Sequence, residues 1–194
     1  MSKVFFILAL IYGSCEHSRD SIERILLMYE NNKVDFEKAL ELFKKEKEVF
    51  SLRRLEKNDS FHFFRESSVW LVYNLVLNDG KDNLTILIDT TYKGRESQFW
   101  EKNNYQVEST NGMSLIAFLD SNNVALESFK TLKHFLTNNN LLMISREIDS
   151  EKITIMLNEN EGYLYNPGDS FPHYVEANEI RKIDDKIYYF KQRP

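Results

Sequence analysis

The stretch 68–92, SVWLVYNLVLNDGKDNLTILIDTTY, decides the fold that this sequence predicts. Two runs rich in Val, Leu, Ile and Thr flank the polar segment NDGKD at 78–82. Such runs, separated by a short polar loop, are typical of neighbouring antiparallel strands. The stretch therefore predicts a β-hairpin with a five-residue loop, within a sheet that is mainly antiparallel.

A second hairpin and a helix are predicted immediately after this stretch. The runs YQVEST at 105–110 and MSLIAFL at 113–119 flank Asn111-Gly112, a pair that suits a type I′ turn because both positions need positive φ. Together the two hairpins predict a four-stranded meander. The following segment, NVALESFKTLKHFLTN, has apolar residues at helical spacing and predicts a helix that covers one sheet face. These apolar residues are Leu126, Phe129, Leu132, Phe135 and Leu136.

The last third of the chain predicts further strands, and the first third predicts helices. The strand-like runs are LLMISREI, KITIMLN, GYLYN, EIRKI and KIYYFKQ. Near the N-terminus, two apolar stripes at helical spacing predict a helical hairpin across ENNKV. The stripes are Ile22, Ile25, Leu26 and Tyr29, then Phe36, Ala39, Leu40 and Phe43. Helices grouped in this way favour the α+β class over an alternating α/β sheet.

Composition and charge limit the functions that the chain can have. Its 194 residues are enough for one ordinary domain, and the formal net charge of −5 disfavours a nucleic-acid surface. The densest basic stretch, 44–57, is interleaved with glutamates and is interpreted as a solvated face. The single cysteine excludes an intramolecular disulfide framework, and the four histidines lack metal-ligand spacing. We expect no metal site and no cofactor.

The N-terminus has the layout of a secretory leader. Lys3 precedes the apolar run 4–11, and Gly13-Ser14-Cys15 leads into polar sequence. The run is too short to cross a bilayer as a permanent helix. This arrangement resembles bacterial lipoprotein precursors, whose lipobox of Leu, two small residues and Cys is lipidated on the cysteine and cleaved before it. Tyr12 departs from the aliphatic residue of that pattern.

The resemblance implies a leader at 1–14, a lipid attached to Cys15, and a mature single domain at 15–194. Two other interpretations of the same residues stay open. In one, residues 4–12 form a buried strand and Cys15, beside a helix N-terminus, is a reactive thiol. In the other, the cysteine is an inert small hydrophobic residue after that strand.

One loop contains residue types that could form a site. Tyr163, Tyr165, Asp169, Ser170 and His173 surround the turn in YLYNPGDSFPH. An aspartate and a histidine can orient and transfer a proton, and a serine can act as a nucleophile. The alternative is that the polar residues stabilise the turn and the aromatic residues pack on the sheet.

From these features we expect a lipoprotein anchored to a membrane of the cell envelope, with a non-catalytic binding domain and a possible protein partner. One alternative is a soluble cytoplasmic interaction protein of the immunity type, in which residues 4–12 are a core strand. The other is an enzyme that uses Cys15 or the loop from Asp169 to His173.

Overall fold

The computed structural model of the protein describes residues 22–55, 70–89, 106–108, 115–148, 150–168 and 177–192. Its helices are α1 (22–31), α2 (Lys33–Lys45), α3 (Leu115–Ser121) and α4 (Leu126–Asn138). Its strands are β1 (Val49–Leu55), β2 (Trp70–Leu77), β3 (Asp82–Asp89), β4 (Gln106–Glu108), β5 (Met143–Arg146), β6 (Ile153–Asn158), β7 (Glu161–Tyr165), β8 (Ala177–Lys182) and β9 (Ile187–Gln192).

The nine strands form one sheet in the order β4-β3-β2-β1-β5-β6-β7-β9-β8. Every neighbouring pair is antiparallel. The α+β class with a mainly antiparallel sheet is therefore confirmed. All five strands predicted in the last third of the chain are present as β5 to β9.

The stretch that predicted the fold forms the hairpin β2–β3, in register from Trp70 opposite Asp89 to Leu77 opposite Asp82. Its loop is one residue shorter than predicted because Asp82 already belongs to β3. The loop residues Asn78, Asp79 and Gly80 have φ of 50°, 54° and 91°. Glycine adopts such values without strain, and asparagine and aspartate tolerate them better than other residues.

The prediction of a fourth meander strand at 113–119 is wrong, because Leu115–Ser121 is the helix α3. Leu115, Phe118 and Leu119 are buried, and their spacing is helical, which a short apolar run also permits. The helix ends in a Schellman motif in which Val124 N bonds to Leu119 O at 2.9 Å and Asn123 has φ of 56°. The predicted turn Asn111-Gly112 lies outside the described residues.

The interpretation of 44–57 as a solvated face is wrong for Val49–Leu55, which is the central strand β1 between β2 and β5. Leu52 is fully buried. The two arginines after it reach polar partners with long side chains, Arg53 to Glu159 at 2.6 Å and Arg54 to Asn140 Oδ1 at 2.9 Å. The charges therefore stay near solvent while the backbone lies inside the sheet.

One face of the sheet carries the main core. Cross-strand pairing places Tyr73, Leu75, Leu52, Ile144 and Ile155 on this face, and all five are buried. The Tyr73 hydroxyl bonds α4 to this face, and Arg54 bonds to Asn140 just after the helix. Four of the five predicted apolar positions of α4 are buried, the exception being Leu126. A smaller cluster forms on the opposite face at β7 and β9, from Leu164, Tyr188 and Phe190.

The chain divides into two units, Met1–Lys38 and Ala39–Pro194, and the boundary falls within α2. In the first unit, Asn32 separates the two predicted N-terminal helices. Its side chain bonds to Met28 O at 2.9 Å, and its carbonyl accepts the first bond of α2 from Asp35 N. The rings of Tyr29 and Phe36 meet edge to face at 5.3 Å.

Candidate functional site

The predicted site residues have different positions in the structure. Tyr163 and Tyr165 both lie on β7, on the face that carries the main core. Tyr163 is buried, whereas Tyr165 is half-buried and lines a cavity. Asp169, Ser170 and His173 lie outside the described residues. The structure therefore brings Tyr165 to a cavity and places Tyr163 in the core, and the grouping with the loop residues stays a prediction.

The predicted lipid attachment site and the leader also lie outside the part of the chain that the structure describes. Residues 1–14 and Cys15 stay predictions in each of their three interpretations. Within the described ranges, no helix is long and apolar enough to span a membrane.

The cavity has a volume of about 400 Å³ and lies at one end of the sheet, beside the C-terminus of α2. Cross-strand pairing aligns Arg146, Ile153 and Tyr165 as one row over β5, β6 and β7. Three further segments contribute described residues to the wall: the end of α2 with the turn after it, the β2–β3 loop and the β5–β6 loop. They contribute Lys44, Lys47, Asp79, Glu147, Ser150 and Glu151.

Arg146 is the most heavily bonded of the lining residues. Its Nε donates to Val49 O at 2.8 Å, and its Nη2 donates to Glu46 O at 2.8 Å and to Phe43 O. The guanidinium also lies 4.8 Å from the ring centre of Phe43. The bonds to Phe43 O and Glu46 O satisfy carbonyls at the C-terminal end of α2, and the bond to Val49 O reaches β1. Together they hold the side chain in one orientation.

Arg146 keeps its charge, and no carboxylate among the described residues forms an ion pair with it. Burial lowers the pKa of Arg146, and the nearby acids Asp79 and Glu48 oppose that effect. An arginine stays protonated at neutral pH in either case. None of the ion pairs within 4.0 Å among the described residues includes Arg146, and its three bonds leave Nη1 uncommitted there.

Lys44 and Tyr165 form a second fixed element of the wall. The ammonium of Lys44 lies 4.2 Å from the ring centre of Tyr165 and 2.6 Å from Glu41 Oε1. Burial by itself lowers the pKa of Lys44, but the carboxylate of Glu41 and the side chain of Tyr165 outweigh it and raise that pKa. The cation is thus stabilised by a carboxylate on one side and an aromatic face on the other.

The described residues of the wall carry both signs of charge. Lys44, Lys47 and Arg146 face the same cavity as three acids, Asp79, Glu147 and Glu151. No ion pair among the described residues joins two of these six. Lys44 pairs instead with Glu41, and Glu147 lies 3.6 Å from Lys152. The lining can therefore offer hydrogen-bond donors and acceptors to a polar ligand.

The described lining residues include Ser150 but no histidine. Ser150 accepts a bond from Lys152 N at 3.0 Å, and His134 bonds to Asn138 on the exposed side of α4. In the described ranges, no three of His, Cys, Asp and Glu are grouped so that they could hold a metal ion. The arrangement suits binding and orientation of a ligand.

Of the described lining residues, sequence reasoning found only Tyr165. The others come from separate segments, and none of those segments carries a motif. Lys44 and Lys47 lie in the basic stretch interpreted as a solvated face. The long-range pairing of β1 with β5, which no local pattern in the sequence encodes, brings them beside Arg146.

Comparison of the chain with protein-family models, with curated proteins and with solved structures found no match.

Proposed function

We propose that the protein is a non-catalytic binding protein that takes a small polar ligand in the cavity between α2 and the ends of β5 and β7. Arg146 carries the proposal. Its guanidinium is anchored by three backbone carbonyls and keeps Nη1 uncommitted among the described residues, and the residue lines the cavity.

Two properties of the cavity support this function. Its volume of about 400 Å³ lies within the range of small-molecule sites, roughly 300–1,000 Å³. Arg146 and Lys44 are already held by bonds within the protein, so a ligand need not pay the entropy of ordering them.

We further propose that Cys15 anchors this binding protein to a membrane of the cell envelope. The support is the position of the single cysteine, directly after a short apolar run and two small residues. The alternative is a soluble interaction protein in which residues 4–12 belong to the core.

Ligand binding is tested by thermal unfolding of the full chain with a panel of small polar compounds. A ligand at 100 times its Kd stabilises the folded state by about 2.7 kcal/mol. We expect Lys47→Ala and Glu151→Gln, both at exposed positions of the wall, to change the stabilisation by every genuine ligand.

The matched controls are Lys191→Ala and Asp120→Asn, at exposed positions outside the wall. They should leave the stabilisation unchanged. A panel without a single stabilising compound would contradict the binding function, and so would ligands that bind equally well to the two wall variants.

The anchor is tested by mass spectrometry of the protein isolated from its natural host. A lipid-modified Cys15 at the N-terminus, with the protein in the membrane fraction, is the expected result. An unlipidated Met1 terminus in a membrane-free extract would favour the soluble alternative. The Cys15→Ser variant should move the protein out of the membrane fraction.

A further inference from the structure

We propose that the ligand of this cavity is a small zwitterion of the amino-acid or short-peptide class. This inference rests on the proposed binding function and specifies its ligand. It starts from the described lining residues, which include three cations and three carboxylates around one volume of about 400 Å³.

The cations among the described lining residues suit the carboxylate of such a ligand. Arg146 has Nη1 uncommitted among the described residues, and its orientation is fixed through Nε and Nη2. Lys47 is exposed and takes part in no ion pair found within the described ranges. Charge-assisted hydrogen bonds to a carboxylate are stronger than neutral ones.

The carboxylates among the described lining residues suit the ammonium group. Asp79 and Glu151 are exposed and belong to none of the ion pairs found in the part of the chain that the structure describes. Asp79 sits in the β2–β3 loop, where Asn78 bonds to Asp82 and Asn122. An ammonium donates three hydrogen bonds and can be shared by more than one carboxylate.

The mixed charges of the described lining residues argue against a ligand with one sign of charge. A phosphate or a nucleotide would bring several negative charges next to three carboxylates, and an amine alone would face two lysines and an arginine. A zwitterion satisfies both groups, and Ile153 with the Tyr165 ring offers an apolar surface for a side chain.

The test uses the full chain and pools of the twenty amino acids and of dipeptides, observed by ligand-detected NMR at millimolar concentration. For each compound that binds, the N-acetyl form and the C-terminal amide are compared with the parent. We expect each derivative to bind at least about tenfold more weakly, since a hydrogen bond to a charged group contributes about 1.5–3 kcal/mol.

Two wall variants assign the charges. Glu151→Gln should weaken binding of the parent compound but leave the affinity of its N-acetyl form unchanged. Lys47→Met should weaken binding of the parent but leave the C-terminal amide unchanged. Asp120→Asn and Lys191→Met, at exposed positions outside the wall, should have no effect.

The results separate this inference from the proposed function. Inorganic phosphate or N-acetyl compounds could bind better than the parent compounds, with binding that Glu151→Gln strengthens. That result would show that the cavity is an anion site and that the proposal of a zwitterionic ligand is wrong. The zwitterion is also wrong if only amines or C-terminal amides bind. If no pool and no single-charge compound binds, the proposed binding function itself fails.

Discussion

The hydroxyl of Tyr73 on β2 lies 2.6 Å from Oγ1 of Thr137 on α4. Thr137 has one hydroxyl proton, and it uses that proton in a 2.9 Å bond to Lys133 O. Tyr73 is therefore the donor and Thr137 the acceptor of this bond. Because Tyr73 is fully buried, the bond connects α4 to the centre of the main core face.

Removing either hydroxyl of this pair should destabilise the fold. We expect Tyr73→Phe and Thr137→Val each to lower the free energy of unfolding by about 1 kcal/mol, with a favourable coupling in the double variant. Urea unfolding of the four proteins measures that coupling. Thr137→Ser keeps the acceptor and should preserve most of it, whereas strictly additive single effects would show that the bond contributes nothing.

Arg146 should be needed for stability as well as for the cavity. Arg146 donates one bond from Nε and two from Nη2, and the single ammonium of a lysine cannot reproduce this arrangement. Arg146→Lys should therefore lower the free energy of unfolding by about 2–4 kcal/mol. The control is Arg54→Lys, which loses one bond at the surface to Asn140 and should cost less than about 1 kcal/mol. Equal costs in chemical denaturation would contradict the anchoring role of Arg146.

Asn123 should accept glycine with a gain in stability. Its φ of 56° is a left-handed value at the end of α3, which glycine adopts without strain. Asn123→Gly should raise the free energy of unfolding by about 0.5 kcal/mol, and Asn123→Ala should lower it by about 1 kcal/mol. The same glycine substitution at Asn160, which is not among the positive-φ residues, should give no gain.

Tyr189 should make the fold sensitive to high pH. Burial first, and then the bond to Glu161 Oε2 at 2.9 Å, raise the pKa of Tyr189 above its ordinary value of 10.0. The unfolded chain therefore loses this proton near pH 10 while the folded chain keeps it. The contribution is fully present below pH 10 and declines as the pH rises above it.

The check is the pH dependence of urea unfolding in wild type and Tyr189→Phe. The variant should lose less stability than wild type between pH 9 and pH 11, which spans roughly one unit on either side of the ordinary tyrosine pKa. Parallel curves would show that Tyr189 does not titrate differently in the two states.

The sequence predicts those parts of this fold that depend on local periodicity. Apolar residues alternate or follow one another in β2, β3 and the five C-terminal strands. In α4 they recur every three or four residues. α3 resembles a strand in sequence because its apolar run is too short to show a period. A local signal for the ends of α3 and α4 is the asparagine that follows each helix. These residues, Asn123 and Asn140, have positive φ.

β1 and the cavity could not be predicted for a different reason. β1 carries two adjacent arginines, and its burial depends on β2 and β5 on either side. The cavity likewise depends on distant segments, since Lys44 meets Tyr165 only after β5, β6 and β7 have paired. Neither feature has a signature within one stretch of sequence.

The pairing of β1 with β5 through Leu52 and Ile144 has a consequence for the order of folding. Of the eight neighbouring strand pairs, this one joins the strands furthest apart along the chain, so its closure entropy is the greatest. We expect the two halves of the sheet to form before they join. Ile144→Val should then mainly speed unfolding, whereas Ile86→Val, equally buried within the β2–β3 hairpin, should slow folding in stopped-flow measurements.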